Sequence, residues 1–363
     1  MNEHYMDLAI SLARQGEGLV NPNPLVGAVI IKDKRVIGQG YHHKYGDLHA
    51  ERDALKQVTE DCNGASMYVT LEPCCHHGKQ PPCTEAIINS GIDTVYIGSS
   101  DPNPLVAGKG ISQLRAHGIK VIEHVKEKEC NALNSVFFHY IRTKTPYVAL
   151  KYAMTLDGKT ATHLGNSKWI TDAPAREHVH MLRNRYMGIM VGIGTVLSDD
   201  PLLTCRMTNG RNPIRIICDT HLRIPKECQI VRTAGKIPTI IAASEFADFE
   251  KRKFLEKHQI TVLSLPEKGR HIDLTCLMQK LGEMNIDGIL LEGGGMLAEA
   301  MLREHLIQYI YAYIAPKLFG GMGVFTPVCG NGIDYPKDAW QAHFANMTAL
   351  GEDILLEYDM ESR

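Results

Sequence analysis

Three side chains able to hold a soft divalent metal fall within the first quarter of the chain. They are His49, Cys74 and Cys83, and Glu51 lies two residues after the histidine. One imidazole and two thiolates neutralise Zn²⁺ and leave a fourth position for water, which catalytic zinc sites keep open. Zinc lowers the pKa of such a water from about 15.7 to roughly 7, giving a hydroxide nucleophile at neutral pH. A proton must then pass from that water to a leaving group. Glu51, at a predicted helix start beside the ligand, suits the shuttle. Cys83 is expected to open a helix whose N-terminal dipole favours a thiolate. Taken alone, His49 and Glu51 read as solvated first-turn residues. Pro73-Cys74 at a strand end and the further Cys83 weigh against that reading. A closed structural zinc site stays open as an alternative, since Cys75, His76 or His77 could supply a fourth ligand. Glu51 argues against it, because a closed site needs no proton shuttle.

The second half carries two further chemical signals. IDGILLEGGGMLAEAML reads as a buried strand, Glu292, three glycines and a helix. Glycines at a strand-to-helix turn let a ligand approach the backbone, and the helix N-terminus offers unpaired N–H groups to phosphate. The pattern is neither GxGxxG nor a P-loop, so a tight packing turn explains it equally well. Glu292 is harder to dismiss, because a carboxylate ending a buried strand needs partners. The run from Val191 to Arg206 likewise places glycines and Thr195 after a strand, then Asp199, Asp200 and an arginine. Lys151 interrupts the apolar strand Val148-Ala149-Leu150, and taken alone it reads as the solvated face of an edge strand.

Positioning these residues requires layered α/β elements. In residues 1–145, a helix over 3–15 precedes a hairpin (LVGAVII, then VIGQGYH), and helices alternate with the strands SMYVTL, DTVYIGSS and IKVIEHV. A helix over 126–142 closes the unit, and a mainly parallel sheet is expected. Thr143 to Pro146 breaks the pattern. Residues 146–363 restart it with PYVALKYAMT as a strand, APAREHVHMLRNRYM as a helix, and GIMVGIG as a strand running into TVLSDDPLLT. Four more buried-type strands and helical spacers near 246–258, 273–284 and 295–304 follow. IQYIYAYIAPKLFGG and DILLEYDM are expected as antiparallel edge strands.

Composition excludes several classes. The 363 residues fit two domains, each large enough for its own core. Thirty-nine basic against 41 acidic residues give a net charge of −2, offering no field for gripping nucleic acid. Apolar runs are too short for a membrane helix. The N-terminus lacks a signal peptide's basic region and apolar core. Ten cysteines in so long a chain point to reduced thiols, a metal site and a cytoplasmic address, and seven of them read as incidental.

The motif H-x-E followed by P-C-x-x-C marks zinc deaminases, although here eight residues separate the cysteines. LVGAVI, HAERDAL and the unbroken stretch Glu72-Pro73-Cys74-Cys75-His76-His77-Gly78-Lys79-Gln80-Pro81-Pro82-Cys83 closely resemble the deaminase half of the bifunctional riboflavin-biosynthesis deaminase/reductases. That family has this long cysteine spacing; it more often carries Thr where Gln80 stands. LKYAMTLDGKTA, SKWIT and both glycine-bearing stretches resemble its reductase half, so the resemblance spans nearly the whole chain.

The resemblance implies a cytidine-deaminase-like three-layer domain and a dihydrofolate-reductase-like domain, with Zn²⁺ and NADPH as cofactors. It implies deamination of 2,5-diamino-6-ribosylamino-4(3H)-pyrimidinone 5′-phosphate, then hydride delivery to C1′ of the open, imine-like ribose. Asn23, His42, His76, Lys79, Asp101 and Asn103 become substrate contacts in the first half. Ser167, Arg183, Leu203, Arg206 and Glu292 become substrate contacts in the second. Ala153, Trp169, Thr195, Asp199, Thr220 and the turn Gly294, Gly295, Met296, Leu297, Ala298, Glu299 become cofactor contacts. Lys151 would orient or protonate the ring-opened ribose. A small-molecule enzyme without nucleic-acid or membrane partners is expected, assembled from identical chains with the late antiparallel strand pair as a possible seam. Two other readings remain: a nucleic-acid or nucleoside cytidine/adenosine deaminase with an accessory nucleotide-binding domain, and a zinc-stabilised protein that binds a nucleotide without turnover.

Overall fold

A computed structural model describes residues 3–77, 81–322 and 325–360 of the chain. Two units separate at the Lys144–Thr145 junction, where the sequence runs polar before Pro146. The first unit begins with α1 (His4–Arg14) and the hairpin of β1 (Gly27–Lys32) and β2 (Arg35–Tyr41). It continues through α2 (Ala50–Lys56), β3 (Ser66–Leu71), α3 (Cys83–Ser90), β4 (Thr94–Ser99) and α4 (Lys109–Ala116). It ends with β5 (Lys120–Ile122), α5 (Glu127–Leu133) and α6 (Ser135–Thr143).

The sheet order is β2-β1-β3-β4-β5. β1 runs antiparallel to β2 and β3, whereas β3, β4 and β5 are parallel. The sheet is therefore mixed, not mainly parallel. The tight turn at Asp33 and Lys34, both with positive φ, folds β2 straight back on β1. Successive side chains of a strand face opposite sides. Val29, Ile31 and Tyr68 pack with Met6, Ala9 and Leu12 of α1 and Cys130 of α5. Ala28, Ile30, Met67 and Val69 pack with Ala50, Ala54, Ile87 and Leu114 of α2, α3 and α4. Helices on both faces make three layers. α2 lies directly on β2, where a Cβ at Gly40 would stand 2.3 Å from the Ala54 nitrogen. The helix expected over 126–142 is two helices broken at Asn134. Its side chain accepts from Leu25 N (2.8 Å) and donates to Leu25 O (2.9 Å), fixing the segment that leads into β1.

The second unit contains β6 (Tyr147–Thr155), α7 (Ala173–Arg185), β7 (Gly188–Gly192), α8 (Ile193–Asp199), β8 (Ile214–Cys218) and α9 (Gln229–Arg232). β9 (Thr239–Ser244), α10 (Phe249–Lys257), β10 (Ile260–Leu265), the short pair β11 (Glu267–Lys268) and β12 (His271–Ile272), and α11 (Leu274–Glu283) follow. β13 (Gly288–Leu291), α12 (Gly295–Arg303), β14 (Tyr309–Ala315), β15 (His343–Leu350) and β16 (Asp353–Asp359) complete it. Nine strands form one sheet in the order β10-β9-β8-β7-β13-β6-β14-β16-β15. The first seven are parallel and the last two antiparallel. One face packs Met190, Ile216, Ile240 and Leu291 against α11 and α12. The other packs Ile189, Val191, Ile217 and Ile241 against α8, α9 and α10.

Two expectations change here. The stretch after Gly192 is a helix, not an extension of the strand. Its β-branched residues disfavour helix intrinsically, but Ile193 and Val196, one turn apart, both enter the core beside Leu203. β14 and β16 are antiparallel neighbours as expected, yet neither is the edge. A hairpin turn at Gly351 and Glu352 adds β15 outside β16, and β15 was not legible because its side chains are mostly exposed and do not alternate.

Candidate active sites

The sites form where strands end. In the first unit His49 is the extended residue preceding α2, Cys74 follows the end of β3, and Cys83 is the first residue of α3. His49 Nδ1 stands 3.5 Å from Cys74 Sγ and 3.4 Å from Cys83 Sγ, and the three donor atoms lie within 4.8 Å of one another. Zn–S near 2.3 Å and Zn–N near 2.0 Å in a tetrahedron imply S···N edges of ~3.5 Å. The donor set thus fits zinc in both type and spacing. Cys75 Sγ turns to Leu105 O and His77 pairs with Glu85. Among the described residues the metal-type cluster consists of these three donors, which leaves the fourth-ligand alternative without support.

The Cys83 and His49 hydrogen bonds bring the Cys74 thiol down to about 4. Cys83 keeps its proton through its hydrogen bond to Cys74, a proton that metal binding displaces. Glu51 is buried on α2, and burial together with the Cys74 charge pushes its carboxyl above the ordinary range. A carboxyl that holds protons readily is what a shuttle needs. Arg52 donates to Pro81 O and Pro82 O, tying α2 to the chain that delivers Cys83.

Around this triangle, His42 Nδ1 lies 2.9 Å from Leu48 O. The ring therefore donates there and presents Nε2 to the Asn23 amide nitrogen at 3.1 Å. His42 thus stands behind Asn23 and orients it, leaving the amide oxygen of Asn23 to accept from a ligand. His76 Nδ1 is buried with no hydrogen-bond partner among the described residues. Asp101 and Asn103 follow β4, where burial lifts the Asp101 carboxyl to about 6. Lys79 lies outside the described residues.

In the second unit β13 sits between β7 and β6, and ligands of such sheets bind beyond the strand ends at the point where strand order switches. Glu292 leaves β13 there. It takes a forked pair of bonds from Arg183 of α7, 2.6 Å from Nε and 2.9 Å from Nη2, and Lys151 Nζ of β6 stands 3.7 Å away. Burial would raise Glu292, but the charges of Arg183 and Lys151 hold it at about 2. Burial pushes Lys151 below the ordinary lysine range against the pull of Glu292. Arg183 also donates to Thr204 O, beside Leu203, which has a positive φ of 54°. Ala153, two residues past Lys151, shares its side of β6.

The glycine turn is a cradle. Gly293 and Gly294 have φ of 151° and 83°, and a Cβ on Gly293 would stand 3.1 Å from Thr195 Oγ1. The turn delivers its backbone to the N-terminus of nine-residue α12, which fits a dinucleotide phosphate. Other cofactor candidates have side chains engaged locally. Thr220 Oγ1 accepts from Ile272 N, Asp199 accepts from Ser198, and the Glu299 carboxylate accepts from Arg303 and Gly332 N. Trp169 is 59% exposed with Arg176 over its ring, and Ser167 lies half-buried in the same loop.

Three site residues escaped the sequence reading. His180 lies one turn before Arg183 on α7 and accepts from Arg206 Nε at 3.0 Å; the i, i+3 spacing was the available signal. Burial and the neighbouring arginines bring His180 down to about 4. Tyr313, whose ring lies 5.7 Å from Lys151 Nζ, and Glu72 gave no local signal.

Comparison with known proteins agrees with this geometry. The family model described as the cytidine and deoxycytidylate deaminase zinc-binding region matches residues 1–99, and that described as the RibD C-terminal domain matches 146–356. Riboflavin biosynthesis protein RibD of Actinobacillus pleuropneumoniae is 50% identical over 98% of this chain and 94% of its own. Its counterpart in Bacillus amyloliquefaciens is 42% identical over 98% and 95%. A solved Thermotoga maritima diaminohydroxyphosphoribosylaminopyrimidine deaminase/5-amino-6-(5-phosphoribosylamino)uracil reductase superposes with a TM-score of 0.88 at 40% identity, covering 98% of both chains.

Proposed function

From a chain that belongs to the bifunctional riboflavin-biosynthesis deaminase/reductase family, we propose that residues 1–145 deaminate and residues 146–363 reduce the same pyrimidine ribonucleotide in turn. The enzyme converts 2,5-diamino-6-ribosylamino-4(3H)-pyrimidinone 5′-phosphate to its deaminated product, then reduces the ribosyl chain to ribityl with NADPH. The observation that carries the first step is the triangle of His49, Cys74 and Cys83 with buried Glu51 beside it.

His49, Cys74 and Cys83 hold the zinc, which when bound supplies Lewis acidity that makes water nucleophilic at neutral pH. Glu51 takes the proton of the attacking water and returns it to the departing ring amine as ammonia. Asn23, held by His42, accepts from the pyrimidine edge, and Asp101 and Asn103 face the same ligand. His76 and Lys79 meet the ribose phosphate.

NADPH supplies the hydride when bound. The turn Gly294–Glu299, with Thr195, Asp199, Thr220, Ala153 and Trp169, holds it. Lys151 keeps a proton poised beside the ring-opened ribose, and Glu292, itself held by the Arg183 fork, fixes that ammonium in place. Ser167, Leu203 and Arg206 contact the substrate, the arginine suiting its phosphate.

A cytoplasmic small-molecule enzyme without nucleic-acid partners fits the ten unpaired cysteines, the near-neutral charge and helices too short to cross a membrane among the described residues. Assembly into homo-oligomers is supported by the outer strand β15, where Phe344 and Met347 are 64% and 62% exposed. The test of the first step is Glu51→Gln. Zinc stays bound, ammonia release falls by at least about 10²-fold, and NADPH oxidation on the deaminated intermediate is unchanged. Survival of ammonia release in that variant contradicts the shuttle.

A further inference from the structure

Glu72 follows β3 and immediately precedes Pro73-Cys74, yet its carboxylate is turned away from solvent, at 3% exposure. Four backbone N–H groups converge on it. Oε2 accepts from Asp101 N (3.4 Å) and Gly108 N (3.0 Å), the two ends of a single loop. Oε1 accepts from Gly110 N (3.1 Å) and Ile111 N (3.3 Å), in the first turn of α4. Such charge-assisted bonds to backbone N–H groups are the strong kind, and a carboxylate at a helix N-terminus is further favoured by the dipole.

The loop so anchored is braced internally. Asp101 Oδ1 accepts from Asn103 N, Asn103 Oδ1 accepts from Leu105 N, and Asn103 O accepts from Val106 N and Ala107 N. It is therefore a single braced piece, and the Glu72 carboxylate holds both of its ends. The contact is as close as a glycine permits, since a Cβ on Gly110 would stand 2.2 Å from Pro73 O and 3.2 Å from Glu72 Oε1.

We propose that Glu72 is a positioning residue for deamination: one carboxylate locks the loop bearing Asp101 and Asn103 to the strand end bearing Cys74. The carboxylate thereby adds to the backbone bond from Glu72 N to Ser99 O and the Cys75 Sγ contact with Leu105 O in setting the distance between substrate contacts and metal ligand. The inference rests on the reading of Asp101 as a substrate contact. Glu72 touches neither substrate nor metal; it acts through the loop.

The test is steady-state deamination of the diaminopyrimidine nucleotide by the full zinc-loaded chain, comparing Glu72→Gln, Asp101→Asn and their combination. A glutamine keeps one acceptor and turns an NH₂ group against two N–H donors. KM is expected to rise about tenfold or more with kcat within about threefold. Zinc content and NADPH oxidation on the deaminated intermediate stay unchanged. The double variant is expected to be no worse than the poorer single variant, because both act through one loop. Gly110→Ala presses on the same contact from the loop side; it should reproduce the KM defect, and it decides the question if Glu72→Gln does not fold. A wild-type KM in Glu72→Gln or Gly110→Ala, with Asp101→Asn impaired, overturns the inference and leaves the site reading standing. Loss of zinc and kcat together in Glu72→Gln overturns it in favour of a structural role. A wild-type KM in Asp101→Asn removes Asp101 from the site and this inference with it.

Discussion

Glu292→Gln separates the two chemistries and tests the electrostatics of the second. Arg183 and Lys151 hold the wild-type carboxyl at about 2 against an ordinary 4.5. At 1.36 kcal/mol per pH unit, that depression corresponds to about 3 kcal/mol of folding stability. The contact geometry gives a similar figure. Glutamine still accepts from Arg183 Nε, but its NH₂ faces Nη2, and two buried cations lose their counter-charge, a change that costs about 3–5 kcal/mol when a buried pair is broken. The stabilisation is fully present above pH 4.5 and is lost as pH falls towards 2, because the folded value is the lower one. Denaturant titrations of both proteins should therefore differ by about 3 kcal/mol at pH 7, with the gap closing in acid. Without the carboxylate, the Lys151 ammonium loses the counter-charge that offsets its burial. NADPH oxidation on the deaminated intermediate should then drop by about 10²-fold or more in kcat/KM, while ammonia release from the first substrate is unchanged. A variant that reduces within twofold of wild type, or a stability gap independent of pH, refutes the ion-cluster reasoning.

Gly293→Ala places a Cβ 3.1 Å from Thr195 Oγ1 at a φ of 151°; the KM for NADPH should rise about tenfold or more, read at constant substrate, with deamination untouched. Asn134→Ala removes both bonds to Leu25 and should cost the first unit about 2 kcal/mol in a urea titration. Arg215 is fully buried and donates to Thr233, Thr239, Ile230 O, Ile237 O and Leu202 O. Arg215→Met leaves these acceptors unpaired and should destabilise the second unit by about 3 kcal/mol or more, with reductase activity lost at a lower urea concentration than in wild type.

What was legible in the sequence follows from how local each cause is. His49, Glu51 and Cys83 could be placed because a helix start fixes their geometry within a few residues, and Pro73-Cys74 because a strand must end there. Glu292 announced itself by being charged at the end of an apolar run. Glu72 sits in the same motif but gave no sign, because its partners are 29 to 39 residues away and are backbone groups without side-chain signature. The break between α5 and α6 was hidden for the same reason: Asn134 answers to Leu25, 109 residues earlier. α8 was missed because core packing of Ile193 and Val196 overrides the poor helix propensity of its residues. The role of His42 behind Asn23 depends on which ring nitrogen faces Leu48 O, a matter of tertiary contact alone.

The central claim is that one chain releases an amine at a three-ligand zinc site and then spends a hydride on the product. Supplying the diaminopyrimidine nucleotide and NADPH to a metal-quantified sample, and following ammonia and NADPH together, tests it directly. About one zinc per chain, ammonia release preceding NADPH oxidation, and equal final amounts of each are expected. NADPH oxidation without prior ammonia, or undiminished ammonia release after the zinc is stripped by a chelator, contradicts it.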